Sequence, residues 1–135
     1  MRMNAGELRR RGRLTVLAAQ AWLALVAFDL ARPAGFGRMC AWLQRRRPSA
    51  RPSGAASDDI VWSVDEACVW YVKRTACLQR SVVATWLLRR HGIAAQLVIG
   101  CRPLPFESHA WVEVDGCVIN DLPQYRRVFV VLNRL

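Results

Sequence analysis

Residues 77–100 read CLQRSVVATWLLRRHGIAAQLVIG, and the repeat of the apolar positions changes inside them. From Cys77 to His91 the apolar residues recur at helical spacing. Beyond Gly92 the run AQLVIG at 95–100 has the length and branched residues of a strand. Thr75 is placed to cap the helix and Gly92 to end it in the left-handed C′ position. Arg89, Arg90 and His91 then fall in the last turn, where the helix dipole favours cations. Downstream, HAWVEV (109–114) and CVIND (117–121) flank Asp115-Gly116, a hairpin signal. Arg102–Ser108, with Pro103 and Pro105, reads as a loop, and VFVVL (128–132) as a last strand. Helices followed by consecutive antiparallel strands indicate an α+β fold.

Upstream, Ser63 and Glu66 match the S-x-x-E capping box, and Val64, Ala67, Cys68 and Tyr71 continue it as a helix over about 64–72. PSARPSGAAS (48–57) reads as a linker. Met39, Trp42 and Leu43 stand at helical spacing before a triple arginine. The expected organisation is a basic helical segment over 1–47, a linker over 48–57 and one domain over 58–135.

The chain has 135 residues, 53% of them hydrophobic and 22% charged, which excludes a disordered charged tail and leaves room for a core. The net charge of +10 is unevenly placed. Residues 1–51 hold eleven arginines against Glu7 and Asp29, while the rest is nearly neutral. No helix-turn-helix, zinc-finger or RNP pattern accompanies these arginines, so nucleic acid is not the expected partner.

Leu14–Ala31 (LTVLAAQAWLALVAFDLA) is apolar. The fifteen residues between Arg13 and Asp29 make about 22 Å of helix, short of the ~30 Å hydrocarbon core. A packed core helix is the first reading, a membrane-surface helix the second and a span or signal segment the third. Five cysteines, at 40, 68, 77, 101 and 117, form no C-x-x-C pair. Their odd number and wide spacing argue against a zinc site or a complete disulfide framework and for a reducing, cytoplasmic setting. No metal or cofactor is expected.

One cysteine stands apart. A thiolate is the nucleophile in thiol catalysis, and a helix N-terminus favours it. Cys77 opens the helix, with Lys73, Arg74 and Arg80 close in sequence. His109 would serve as its acid–base partner and Asp121 would fix the imidazole's tautomer. Cys101 lacks a helix start, and His91 reads as a surface cap. Each residue taken alone also has a purely structural reading.

CLQRS (77–81), LLRRHGIAAQLVIG (87–100), SHAWVEVDG (108–116) and VIND (118–121) together resemble the protease half of lasso-peptide biosynthesis B proteins. These are transglutaminase-like cysteine peptidases with a papain-like α+β core, a catalytic helix packed on an antiparallel sheet. The resemblance covers roughly residues 60–122 well and the N-terminal third loosely. It implies Cys77 as nucleophile, His109 as base and Asp121 as orienting acid. It also implies leader removal from a ribosomally made precursor peptide, before an ATP-dependent cyclase closes a macrolactam. The N-terminal third is too short and wrongly patterned for a fused recognition module, which implies a separate small leader-binding protein. This chain departs from the pattern at CRPLPFE (101–107), on the expected rim of the cleft. Competing readings are an acyltransferase with the same triad, a non-catalytic peptide-binding module and a membrane-surface adaptor.

Two details carry the triad. A two-residue Asp115-Gly116 turn sets His109 opposite Leu122 and turns Asp121 to the other face. A three-residue loop Val114–Gly116 sets His109 directly opposite Asp121, at a Cβ separation of ~4.5–5.5 Å. The triad therefore selects the three-residue loop. No sheet edge is evidently spare to grip a leader strand.

Overall fold

The computed structural model describes residues 2–135, in which the four longer helices lie on one face of a four-stranded antiparallel sheet of order β3-β2-β1-β4 and one short helix on the other. The elements are α1 (Ala5–Ala31), α2 (Phe36–Arg45), α3 (Ser57–Val69), α4 (Cys77–Arg90), β1 (Ala95–Pro103), β2 (Phe106–Val114), β3 (Cys117–Val118), α5 (Tyr125–Val128) and β4 (Val130–Arg134). The fold is α+β, as the change of period at Gly92 implies.

Alternation along β1 and β2 decides where the core sits. Ala95 and Leu97 on β1, with Ala110 and Val112 on β2, are buried on the helix side, against Val82, Val83, Ala84, Leu87 and Leu88 of α4. Leu17, Ala21 and Leu25 bring α1 into that core, and Ile60, Val64 and Ala67 bring α3. Each buried Leu, Ile or Val contributes roughly 1.5–3 kcal/mol. The apolar N-terminal helix is thus packed along one side. Its Asp29 accepts from Tyr71 Oη and Lys73 Nζ, and those bonds hold the carboxyl below its usual range.

Several local expectations are corrected. Ser63 does not cap a helix, because α3 begins six residues earlier at Ser57; its hydroxyl bonds back to the Asp59 carbonyl inside the helix. The N-cap of α4 is Ala76, not Thr75. Arg102–Ser108 is not a loop, since β1 and β2 pair out to Pro103 and Phe106 around a turn with a cis Leu104–Pro105 bond. His91 is no mere surface cap: Ser53 meets its Nδ1 at 2.5 Å, pinning the segment before α3. Arg89 does more than face the helix dipole. Its buried guanidinium donates to the carbonyls of Leu43, Arg46, Ala95 and Leu135, joining the end of α2 to β1 and the residue after β4. A spare edge does exist, for β4 closes the sheet order and its residues are exposed.

The β2–β3 turn has two residues. Val114 pairs with Cys117, and Asp115 (φ 51°) and Gly116 (φ 76°) are both left-handed, the pair of conformations a type I′ turn needs. The expected three-residue loop is wrong. Its premise, a straight strand through Asp121, fails because β3 ends at Val118.

Candidate active site

β2 carries its side chains to alternate faces. Ala110 and Val112 enter the helix-side core, and His109, Trp111 and Glu113 project from the other face. There Trp111 stacks on His109 with the rings 25° apart, while Tyr125 and Phe129 sit 4.5 and 5.6 Å from it by ring centroid. This aromatic wall depends on Gly100, the cross-strand partner of His109. A Cβ there would come within 2.8 Å of the Trp111 ring and 2.9 Å of Phe129 Cβ. Glu113, on the same face, is buried, which raises a carboxyl's pKa. Bonds from Trp111 Nε1 (3.0 Å) and Arg134 Nη1 (2.7 Å) outweigh that and hold it below its usual range.

Asp121 reaches His109 without lying on a strand. The Asn120 side chain takes over where the backbone leaves the ladder: its Oδ1 accepts from the Val112 N–H at 2.8 Å. Its Nδ2 donates to Ser81 Oγ at 3.1 Å, and Ser81 Oγ donates to the Ala110 carbonyl at 3.1 Å. The chain bends there, and Asp121 Oδ2 meets His109 Nε2 at 2.8 Å. Because β3 is so short, β2 is an open edge at His109, and α4 can reach the corner around it. Arg80 does so, donating to the Asn120 carbonyl and, at 3.3 Å, to Asp121 Oδ2. Asp65 of α3 lies 3.5 Å from the same guanidinium, and burial holds its carboxyl above the usual range.

Cys77 is the first residue of α4, and no side chain caps that end. The first-turn amides therefore lack intrahelical partners, and they favour negative charge at this position. The thiol is part-buried beside the Ala110 side of the sheet. Arg80 and Ser81 lie three and four residues further on, about one helical turn. Two of the cations expected near the thiol are already engaged, Lys73 by Asp29 and Arg80 by the corner. The structure thus joins His109 to Asp121 directly and ties Cys77 to them through α4. Among the described residues no hydrogen bond links the Cys77 thiol to the imidazole. Nor is any group of three His, Cys, Asp or Glu residues among them placed to hold a metal ion. Cys101 stands in β1, away from any helix start, and Cys40 and Cys68 have thiol pKa values raised by burial.

Ser81 and Asn120 escaped the sequence reading as site residues, and Arg80, expected beside the thiol, bonds to the Asp121 corner instead. The only signal of Ser81 and Asn120 was position, within CLQRS and beside Asp121.

The family model described as Transglutaminase-like superfamily matches residues 10–134. The chain belongs to that superfamily. Its match runs through the N-terminal helices as well as the sheet, as does the core built by α1, α3 and α4. Among curated proteins, the Microcin J25-processing protein McjB of Escherichia coli is 49% identical over 53 residues, 39% of this chain and 26% of that protein. The matched segment therefore spans about a quarter of that relative, and the relative is of the lasso-peptide B type that the quoted motifs resemble. No solved structure matches.

Proposed function

We propose that this chain is a cysteine endopeptidase that removes the leader from a ribosomally made lasso-peptide precursor, in the cytoplasm. The observation that carries the reading is the His109–Asp121 bond, held from the same helix that begins at Cys77. The relative's role in processing Microcin J25 and the superfamily membership support it, and five free cysteines fit a reducing compartment.

Asp121 accepts a hydrogen bond from the Nε2–H of His109, which leaves Nδ1 to exchange a proton with the Cys77 thiol. Hydrogen bonds of this kind are often long without substrate and shorten in the complex. The thiolate attacks the scissile carbonyl, forming a C–S bond, and the first-turn amides of α4 stabilise the oxyanion. The C–N bond breaks as His109 protonates the leaving amine, which becomes the core peptide's new N-terminus. Water, deprotonated by His109, then hydrolyses the thioester to a leader carboxylate and restores the thiol. A separate small leader-binding protein presents the precursor, and an ATP-dependent cyclase consumes the freed amine.

The test is mass spectrometry of a full precursor incubated with the protein and the leader-binding protein. Wild type should release leader and core. Cys77→Ala should release neither while unfolding within about 1 kcal/mol of wild type, because Ala is well tolerated at a helix start. Cleavage by Cys77→Ala at the wild-type rate would overturn the assignment. A leader product joined to an added amine would mean acyl transfer in place of hydrolysis.

A further inference from the structure

The core-facing stripe of α1 is Leu17, Ala21 and Leu25. At 100° per residue the opposite stripe runs through Leu8, Val16, Ala19, Leu23, Ala27 and Leu30. All six are exposed, Leu23 at 63% and Leu30 at 78%. Val16 to Leu30 is about 21 Å of helix with no hydrogen-bonding side chain along that line. A helix apolar all round is normally covered on every side, and contiguous exposed apolar surface of this kind marks an interaction face. The window of α1 with span-like hydropathy is only 17% buried. Its packed face and the Asp29–Lys73 ion pair tie it down as a helix lying along the protein.

What surrounds the stripe is cationic. Arg9, Arg11 and Arg13 stand beside its N-terminal end, Arg32 and Arg38 follow its C-terminal end, and all eleven arginines of residues 1–51 are exposed. Asp29, one of the two acids in that third, is already bonded. A specific protein interface carries about one hydrogen bond per 100–200 Å², and from Val16 to Leu30 this stripe offers no side chain for any. An apolar face rimmed by arginine matches the boundary between acyl chains and anionic headgroups.

We propose that α1 lies in the surface of an anionic membrane by this outer stripe, holding the candidate active site at the bilayer. The inference stands whether or not the chain is a peptidase.

The experiment is co-sedimentation of the full chain with vesicles of phosphatidylcholine alone and of phosphatidylcholine with 30% phosphatidylglycerol, at 0.05 and 0.5 M NaCl. The double variant Leu23→Glu/Leu30→Glu is compared, with circular dichroism to verify its fold. Wild type should bind the anionic vesicles at low salt, at least tenfold more weakly at high salt and weakly to the neutral ones. The double variant should bind at least tenfold more weakly while remaining folded. Failure of folded wild type to bind anionic vesicles would overturn the proposal, as would binding that the double variant retains. A wild-type dimer that ignores vesicles and becomes monomeric in the double variant would assign the stripe to a second copy instead. If the double variant does not fold, Leu23→Gln alone serves in its place, with a severalfold loss expected.

Discussion

The corner around Asp121 and the outer face of α1 are opposites in how they are finished. At the corner the Asn120 amide, the Ser81 hydroxyl, the Asp121 carboxylate and His109 Nε2 each have a partner within 3.3 Å. On α1 a line of aliphatic side chains meets solvent. One helix end and one strand bend use polar atoms to fix geometry, where an unmade bond would be costly. The other surface has only area to offer, and area without polar groups selects a medium more than a partner. Rigidity at the corner fits catalysis, and adhesiveness on α1 fits location.

The largest effect that would break this contrast belongs to Asp121. Asp121→Asn keeps the shape but loses the charge that steadies the imidazolium, and precursor cleavage should fall about 10²- to 10⁴-fold, measured as kcat. A change in KM alone would reduce Asp121 to a structural residue. Next is Leu25 against Leu23. Leu25→Ala opens a cavity in the core and should cost about 2–4 kcal/mol in urea unfolding. Leu23→Ala, two positions earlier, should stay within about 0.5 kcal/mol. Equal costs would show that the outer stripe is buried in the protein as it exists in solution. Asn120→Ala sharpens the other side. It strands the Val112 N–H and should cost about 1–3 kcal/mol, with a further loss of kcat as the bend that delivers Asp121 loosens. An unchanged kcat would mean that Asp121 is positioned by Arg80 alone.

How much of this was legible differs between the same two regions. The α4-to-β1 handover was plain because helix and strand periods differ and Gly92, at φ 84°, ends the helix. Cys77, His109 and Asp121 were nameable because their spacing within quoted motifs is specific. The turn register was misread for a physical reason. Sequence pairing rules assume that the strand continues, whereas the Asn120 side chain substitutes for the backbone and lets Asp121 swing to His109 from a bend. Arg89 looked like an ordinary helix-end cation, since four carbonyls from distant segments leave no mark on the local sequence. For α1, core helix and surface helix looked like alternatives. Three buried residues at i, i+4 and i+8 occupy one side only, so the helix has one packed face and one open face.

The thioester is the central claim, and it can be trapped. Precursor, leader-binding protein and enzyme are mixed, quenched in acid during the first turnover and measured by intact-protein and peptide mass spectrometry. The account expects an adduct of the leader's acyl mass on the peptide containing Cys77, absent from Cys77→Ala and accumulating in Asp121→Asn if deacylation is the slower step. Cleavage that proceeds with no adduct and is undiminished in Cys77→Ala, or an adduct on Cys101, would contradict it.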